Sequence, residues 1–365
     1  MSDYFLALAG GLLISLAASI NLLIKGRLTG ISGILFSLVS FDRDSLNWKL
    51  PFMLAFIFFG ALARFLMSFD HQIQFFVAPQ DLVFGLSKFG FLFGGLCVGF
   101  GTKLANGCTS GHGVCGLPRF AIRSWIAVPT FLFTAIIVSN IKNFMGLFSD
   151  REYLEDIYLV PSVFEHPSVH WLTMGTCFTL LAFFTYNKYK QHNHKALENI
   201  AVGALVGMIF SVGLIVSGMV NRYKILNFLI FSDKWDPSML VVLMTAVGLN
   251  MLTFNFILSM DAPIHAKTWE FTPSSKIDWR LIIGSVFFGI GWGITGLCPG
   301  PSILLLQFGT IKITGFYFIG VVIGQLTAYY GEKQITHRLW TLHHRNHPHH
   351  QTSPKDESST TQSQH

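Results

Sequence analysis

The sequence contains few charged residues and few cysteines. Charged side chains make up only 12% of its 365 residues, about half the roughly 25% found in ordinary soluble domains. This low share of charged residues argues against a disordered protein and against a soluble globular protein. The five cysteines are odd in number and widely spaced, so they do not form a disulfide framework. No long run of Lys and Arg is interleaved with aromatic residues, and we expect no nucleic-acid partner.

Long apolar segments dominate instead, because 51% of the chain is hydrophobic, with 36 phenylalanines and 34 glycines. A helix that spans a lipid bilayer needs about 20 mostly apolar residues. Nine segments approach this length, near 4–24, 51–69, 83–105, 120–141, 168–186, 198–217, 238–260, 279–297 and 311–330. They are continuous rather than alternating in polarity, which is typical of helices. The sequence therefore predicts an all-α polytopic membrane protein with about nine transmembrane helices.

Two shorter apolar stretches, near 28–41 and 225–232, are expected to be interfacial or re-entrant.

The charges of the connecting segments predict how the chain is oriented in the membrane. The link 187–195 is basic, whereas 142–167 contains five acidic residues. Because Lys and Arg gather in cytoplasmic loops, 187–195 is expected inside the cell. Nine alternating spans then place the N-terminus outside and the C-terminus in the cytoplasm of a multi-pass plasma or inner-membrane protein. The first 25 residues lack the basic start of a secretory signal and are interpreted as the first span.

The last 35 residues differ from the rest in being polar. Residues 331–365 hold seven of the 14 histidines, a composition that suggests metal binding or pH sensing. No cysteine accompanies these histidines, and we favour a solvated, disordered cytoplasmic tail. The membrane transport domain is accordingly predicted to cover residues 1–330.

An internal repeat is the main signal in the sequence. Three glycines and a cysteine recur with an offset of 190 residues, at Gly94, Gly99, Gly101 and Cys108 and again at Gly284, Gly289, Gly291 and Cys298. Gly26 and Gly218, which follow the first and sixth spans, have nearly the same offset. We therefore expect repeat one at about 4–141, a linking span at 168–186 and repeat two at about 198–330. The odd number of spans between equivalent points would invert the second copy. The alternative is a shared glycine pattern for close helix packing.

Both cysteine motifs lie in segments that a regular helix does not tolerate. Residues 106–118 contain four glycines and a proline, and in the second motif Pro299 and Pro301 flank Gly300. Irregular backbone at membrane depth occurs only where it is buried in protein or lines a polar cavity. We therefore expect Cys108 and Cys298 to meet at one central pathway, built from broken or re-entrant segments.

The residue types in these segments suit an anion. Free N–H groups at helix breaks and nearby hydroxyl groups attract negative charge. A buried thiol away from cations stays protonated, so it does not repel an anion, and it suits one that carries soft sulfur. The candidate substrate-binding or relay residues are Gly107, Cys108, Thr109, Ser110, His112, Cys115 and Cys298.

Metal binding and thiol catalysis are the competing interpretations of the first motif. Cys108, His112 and Cys115 do not follow a common zinc spacing, and no second pair completes four ligands. We therefore predict no metal, no cofactor and no enzyme activity. Cys97 and Cys177 lie in apolar spans and are expected to behave as small hydrophobic residues.

At these motifs the sequence resembles the YeeE/YedE sulfur-transport family, which includes bacterial thiosulfate permeases. The likeness lies in residues 26–35, 99–113, 217–219, 235–238 and 291–301, and it covers roughly 8–330. The resemblance implies uptake of thiosulfate or a similar sulfur-containing ion, relayed by S–H···S hydrogen bonds from cysteines that match Cys108 and Cys298. Sulfite, sulfide, polysulfide and selenium-containing ions are the alternative substrates.

A second functional hypothesis invokes covalent sulfur chemistry. The protein would then be a membrane thiol protein that forms a persulfide at Cys108, or a partner of a sulfur-handling enzyme. A cytoplasmic sulfur-carrier protein is a candidate partner under either hypothesis.

Overall fold

The computed structural model describes residues 2–43, 45–67, 86–145, 167–232, 235–271, 277–308 and 311–346. Its first part contains α1 (Ser2–Lys25), α2 (Ile31–Val39), α3 (Leu46–Met67), α4 (Lys88–Leu104), a π-helix (Thr109–Gly116) and α5 (Ile122–Met145). Then follow α6 (Pro167–Lys190), α7 (His194–Val216), α8 (Arg222–Leu229) and α9 (Ser238–Leu258). The chain continues with α10 (Trp279–Thr295), α11 (Pro299–Leu305), a 3-10 turn (Leu306–Phe308) and α12 (Ile311–Asn346). The predicted all-α class of a polytopic membrane protein is confirmed.

Helices occupy all nine positions where the sequence predicts a span. In the described ranges, six helical segments are long and apolar enough to cross a membrane, namely Asp3–Lys25, Leu46–Leu66, Ile122–Met145, His194–Val216, Ser238–Leu258 and Trp279–Leu305. The helices at the other three predicted spans are α4, α6 and α12. Of these, α4 has only 17 residues, fewer than the roughly 20 that a bilayer requires.

The two short apolar stretches form short helices, α2 and α8. In the C-terminal region, α12 continues through residue 330 to Asn346. Residues 347–365, with the last of the tail histidines, lie outside the described residues.

Polar side chains cap the starts of several helices and so define where these helices begin. Ser87 accepts a hydrogen bond from Gly90 N at the start of α4. At the start of α10, Asp278 accepts one from Leu281 N. Asn193 and Asn221 cap α7 and α8. Each cap satisfies a backbone N–H group that has no partner within the helix.

The order of elements in the first part recurs in the second. Helices α1 to α4, the π-helix and α5 correspond to α7 to α10, α11 and α12, and α6 lies between the two sets. The packing is reciprocal as well. Helix α4 packs on α12 as α10 packs on α5, and α3 packs on α7 as α9 packs on α1. Two helices, α4 and α1, also contact their own counterparts, α10 and α7. The two halves therefore form one intertwined body.

The repeated glycines lie where α4 crosses α10. A Cβ atom built on Gly101 would lie 2.6 Å from Gly284 O, and one built on Gly284 would lie 2.8 Å from Gly101 O. Gly94 and Gly291 meet in the same way further along the crossing. No real Cβ atom fits at such distances, so these glycines let the two backbones touch, as is common between membrane helices.

Candidate functional site

Each motif cysteine lies at a break between two helical segments. Helix α10 ends at Thr295, Gly296 adopts a left-handed φ of 68°, and extended Cys298 precedes α11. Pro299 then starts α11, where its missing N–H costs no hydrogen bond. In the first half, Asn106 has a φ of 58° and extended Cys108 precedes the π-helix. The irregular backbone predicted from glycine and proline is therefore present at both cysteines.

The first break leads into a π-helix, whose backbone hydrogen bonds join residues five apart. Leu117 N donates to His112 O at 2.9 Å as part of this pattern. Another contact holds the π-helix from outside, because Asn250 Nδ2 donates to Val114 O at 2.8 Å. Asn250 is itself fixed by a hydrogen bond from Ser15 of 2.7 Å. π-Helical segments are rare and often mark functional sites.

Both cysteines line one central cavity. Each is only 2% exposed, and the cavity has a volume of about 90 Å³. A hydrogen bond crosses between the halves here, because Thr109 Oγ1 of the π-helix donates to Cys298 Sγ at 3.5 Å. Within the first motif, Cys108 Sγ lies 3.2 Å from Ser110 Oγ. The structure thus brings Cys108, Thr109, Ser110 and Cys298 together at one cavity.

The remaining cavity wall is apolar, with aliphatic and aromatic side chains. Its larger side chains are Phe131, Phe210, Phe228, Met219, Met239 and Trp292. A single buried water needs about 10–15 Å³ of such volume, so the cavity has room for a small polyatomic ion. The few polar groups are concentrated at the two cysteine motifs, which fixes where an ion would find hydrogen-bond donors.

Trp292 also lines the cavity, although it was not among the site residues predicted from the sequence. It is 7% exposed, and its indole N–H has no hydrogen-bond partner in the described part of the chain. Unpartnered buried donors are rare in proteins. The sequence feature that could have indicated a role for Trp292 is its position inside the repeated glycine motif, between Gly291 and Gly293.

Three predicted site residues lie outside the cavity wall. His112 packs behind it, with Nε2 3.1 Å from Ala105 O and Nδ1 3.0 Å from Ser124 Oγ. Because a carbonyl only accepts, Nε2 is the protonated nitrogen. Gly107 packs against the His112 ring, where a Cβ would lie 2.6 Å from Cδ2. Both residues therefore support the break instead of lining the cavity.

Cys115 is the third of these residues. It is fully buried, and its Sγ donates to Thr29 O at 3.8 Å. It belongs to a separate apolar cluster with Leu22 and Phe254. Within the described ranges, no three His, Cys, Asp or Glu side chains come close enough to hold a metal ion.

The fold and the site define a class of protein, a helical membrane transporter. Two similarly built halves enclose a small buried cavity, and broken helices from each half supply its polar groups. Substrate sites of transporters with internal repeats are built in this way, near the interface between the repeats.

Comparison with known proteins identifies the family. Residues 4–137 match a family model described as sulphur transport, and 198–337 match a family of unknown function, DUF6691. A probable transporter of Xylella fastidiosa strain 9a5c is 37% identical over 109 residues, 30% of this chain and 75% of the relative. Another, from strain Temecula1, is 34% identical over 151 residues, 40% of this chain and 99% of the relative. No solved structure matches significantly.

The chain therefore belongs to the YeeE/YedE-type sulphur-transport family. It is an integral membrane transporter and not an enzyme.

Proposed function

We propose that this protein imports a small sulfur-containing anion, with thiosulfate as the first candidate, and that Cys108 and Cys298 relay it by hydrogen bonding. The supporting observation is the shared cavity, in which Thr109 of one half donates to Cys298 of the other. An anion between the two motifs would contact the thiols of both halves. Passage from one half to the other would then be a transfer between two hydrogen-bonding thiols.

The chemistry of the cavity favours sulfur anions. Its wall is mostly apolar, so a strongly hydrated ion would lose water without adequate compensation. Thiols are weak donors and polarisable, and they suit the large, soft sulfur atom of thiosulfate. The hydroxyl groups of Thr109 and Ser110 are stronger donors for its oxygen atoms.

The test of this function is direct uptake. The full chain is expressed in cells that lack other sulfur permeases, and accumulation of radiolabelled thiosulfate, sulfite and sulfide is measured. We expect accumulation of thiosulfate above that of cells carrying an empty vector. Correctly inserted protein that accumulates none of these ions would contradict the proposal. Mass spectrometry of Cys108 during uptake tests the covalent alternative, which requires a mass increase of one sulfur atom.

The two halves are proposed to be inverted relative to each other in the membrane. Their element order is the same and their packing is reciprocal. If α1, α3, α4, α5 and α6 each cross the bilayer, five crossings separate α1 from α7, and α7 enters from the opposite side. The cavity would then lie near the midplane, and rocking of one half against the other would open it to each side in turn.

Orientation gives the second prediction. Nine crossings place the N-terminus outside and the C-terminus in the cytoplasm, so the two ends lie on opposite sides. A short protease-sensitive tag at each end is tested separately in intact cells. We expect protease to remove the N-terminal tag and to spare the C-terminal tag until the cells are opened. Equal accessibility of both tags in intact cells would contradict an odd number of crossings.

A further inference from the structure

The segment between α9 and α10 lies against the end of α1. Residues 261–271 of this segment belong to the second half, and we call them the strap. Three backbone N–H groups of the strap donate hydrogen bonds to carbonyl groups at the end of the first span. These bonds are 3.0, 2.9 and 2.9 Å long and join Ile264 to Leu23, His265 to Ile24 and Glu270 to Gly26. A Cβ atom on Gly26 would lie 2.6 Å from Pro263 Cγ, so the strap leaves no room for a side chain there.

Ion pairs between the two halves fasten the strap and the start of α7 to the end of α1. Arg27 forms a bidentate pair with Glu270 of the strap, at 2.7 and 2.8 Å. Lys25, which is only 2% exposed, pairs with Glu198 of α7 at 2.8 Å. His265 of the strap contacts the same oxygen atom of Glu198. Bidentate pairs of arginine and carboxylate are strong and fix orientation, so these contacts hold the strap better than one isolated surface pair would.

The strap packs on an apolar cluster that adjoins the cavity. Trp269 and Phe271 of the strap contact the buried cluster that contains Cys115. Val114 packs against the same cluster and also lines the cavity. A single cluster of side chains therefore connects the strap to the cavity wall. Because interiors are close-packed, the cavity can open on this side only if this cluster and the strap move.

Arg119 links the strap to the π-helix that follows Cys108. Its guanidinium lies over the ring of Phe271, 4.4 Å from the centroid, and its Nε donates to Cys115 O at 3.0 Å. Cys115 Sγ in turn donates to Thr29 O, in the link between α1 and α2. The strap, this link and the π-helix therefore contact one another on the Cys108 side of the cavity.

These contacts lie on the side of the membrane where α1 ends and α7 begins, the proposed cytoplasmic side. Both motif cysteines are only 2% exposed, so the cavity is closed in this conformation. An anion that has entered from outside leaves the cavity only when the cytoplasmic side opens. The halves of a transporter with internal repeats move against each other in that step, and the contacts between the strap and α1 join the two halves.

We propose that the strap is a latch that closes the cavity toward the cytoplasm. The pairs of Arg27 with Glu270 and of Lys25 with Glu198 hold this latch shut, and they break when the cavity opens to release its ion. This inference rests on the proposed transport through the cavity, and it names the contacts that control one side of the pathway.

The experiment measures how fast a charged maleimide that does not cross membranes labels Cys108 in the full chain. Inside-out vesicles present the cytoplasmic side to the reagent, and right-side-out vesicles present the outer side. Mass spectrometry quantifies the labelling of Cys108 and, as an internal control, of Cys97, which does not line the cavity. We expect E270Q to raise the rate at Cys108 about fivefold in inside-out vesicles, and E198Q/E270Q to raise it further, because each lost pair increases the open fraction. The rate in right-side-out vesicles should stay within about twofold of the wild type.

D3N is the matched control for these variants. Asp3 forms an ion pair of 3.3 Å with Lys224 at the other end of α1, on the proposed outer side. Its loss should leave the labelling of Cys108 in inside-out vesicles within about twofold of the wild type. Glu270 is 46% exposed, so E270Q is expected to fold, and it decides the question if E198Q/E270Q does not.

The outcomes separate this inference from the proposed function. Unchanged labelling of Cys108 in E270Q and E198Q/E270Q would overturn the latch. An increase that occurs equally in both kinds of vesicle, or that Cys97 shares, would also overturn it, since the ion pairs would then only support the fold. The labelling requires no substrate. A wild-type protein that takes up no sulfur anion would therefore contradict the proposed function, whereas the labelling alone decides whether the strap closes the cavity.

Discussion

Uptake of thiosulfate is expected to fall about tenfold to one hundredfold when either Cys108 or Cys298 is replaced with alanine. A hydrogen bond to a charged group contributes about 1.5–3 kcal/mol, and 1.4 kcal/mol corresponds to a factor of about ten. Each thiol is buried in the cavity wall, and an alanine side chain has no donor to replace it. The measurement is the initial rate of radiolabelled thiosulfate uptake, normalised to the amount of protein in the membrane.

Serine variants and two other cysteines are the controls for this experiment. Serine retains a donor but loses the soft sulfur, so C108S and C298S should lie between alanine and the wild type. Cys97 on α4 and Cys177 on α6 are buried but do not line the cavity. C97A and C177A should therefore transport normally. Normal uptake by both C108A and C298A would exclude the relay.

A large loss of stability is expected when Gly101 is replaced with alanine. The new Cβ would overlap the backbone of α10, 2.6 Å from Gly284 O and closer still to Phe288 N. Backbone atoms cannot turn aside as a flexible side chain can, so α4 and α10 must separate. Overpacking costs about 1–3 kcal/mol in ordinary cores, and we expect a cost at or above this range. The melting temperature of the purified protein in detergent is the measurement.

Gly175 on α6 is the matched control for Gly101. It is also helical, but nothing lies within 4 Å of the position that its Cβ would occupy. Alanine is favoured over glycine in a helix by about 1 kcal/mol, so G175A should melt at or slightly above the wild-type temperature. Similar melting temperatures for G101A and G175A would show that α4 and α10 do not touch as described.

Much of the fold could be predicted because it depends on local sequence. The long apolar runs predicted the positions of nine helices, and the structure has a helix at each of them. Such a prediction is possible because the length and composition of each span must match the bilayer. The fixed offset between Cys108 and Cys298 predicted a common site, because equivalent residues of two packed repeats face each other. The repeated glycines fit both interpretations made from the sequence, the internal repeat and close helix packing. They recur at a fixed offset, and they lie where α4 crosses α10.

Other features of the site depend on partners distant in sequence. His112 adjoins the motif, yet its contacts with Ala105 and Ser124 turn it away from the cavity. Trp292 resembles any aromatic residue of a membrane span until its indole N–H is found buried beside the cavity. Arg27 follows the first span, and nothing local indicates that it pairs with Glu270, 243 positions further along the chain.

The sequence by itself determined the membrane environment, the helical class, the duplication and the pair of cysteines at helix breaks. These properties follow from composition, from run length and from the conformational limits of glycine and proline. Only the tertiary structure decided which polar groups surround the cavity and which ion pairs fasten the strap. The reason is physical, because hydrogen bonds and electrostatic fields depend on distances between atoms. In this site the donor and the acceptor of a hydrogen bond lie more than 70 positions apart in the sequence.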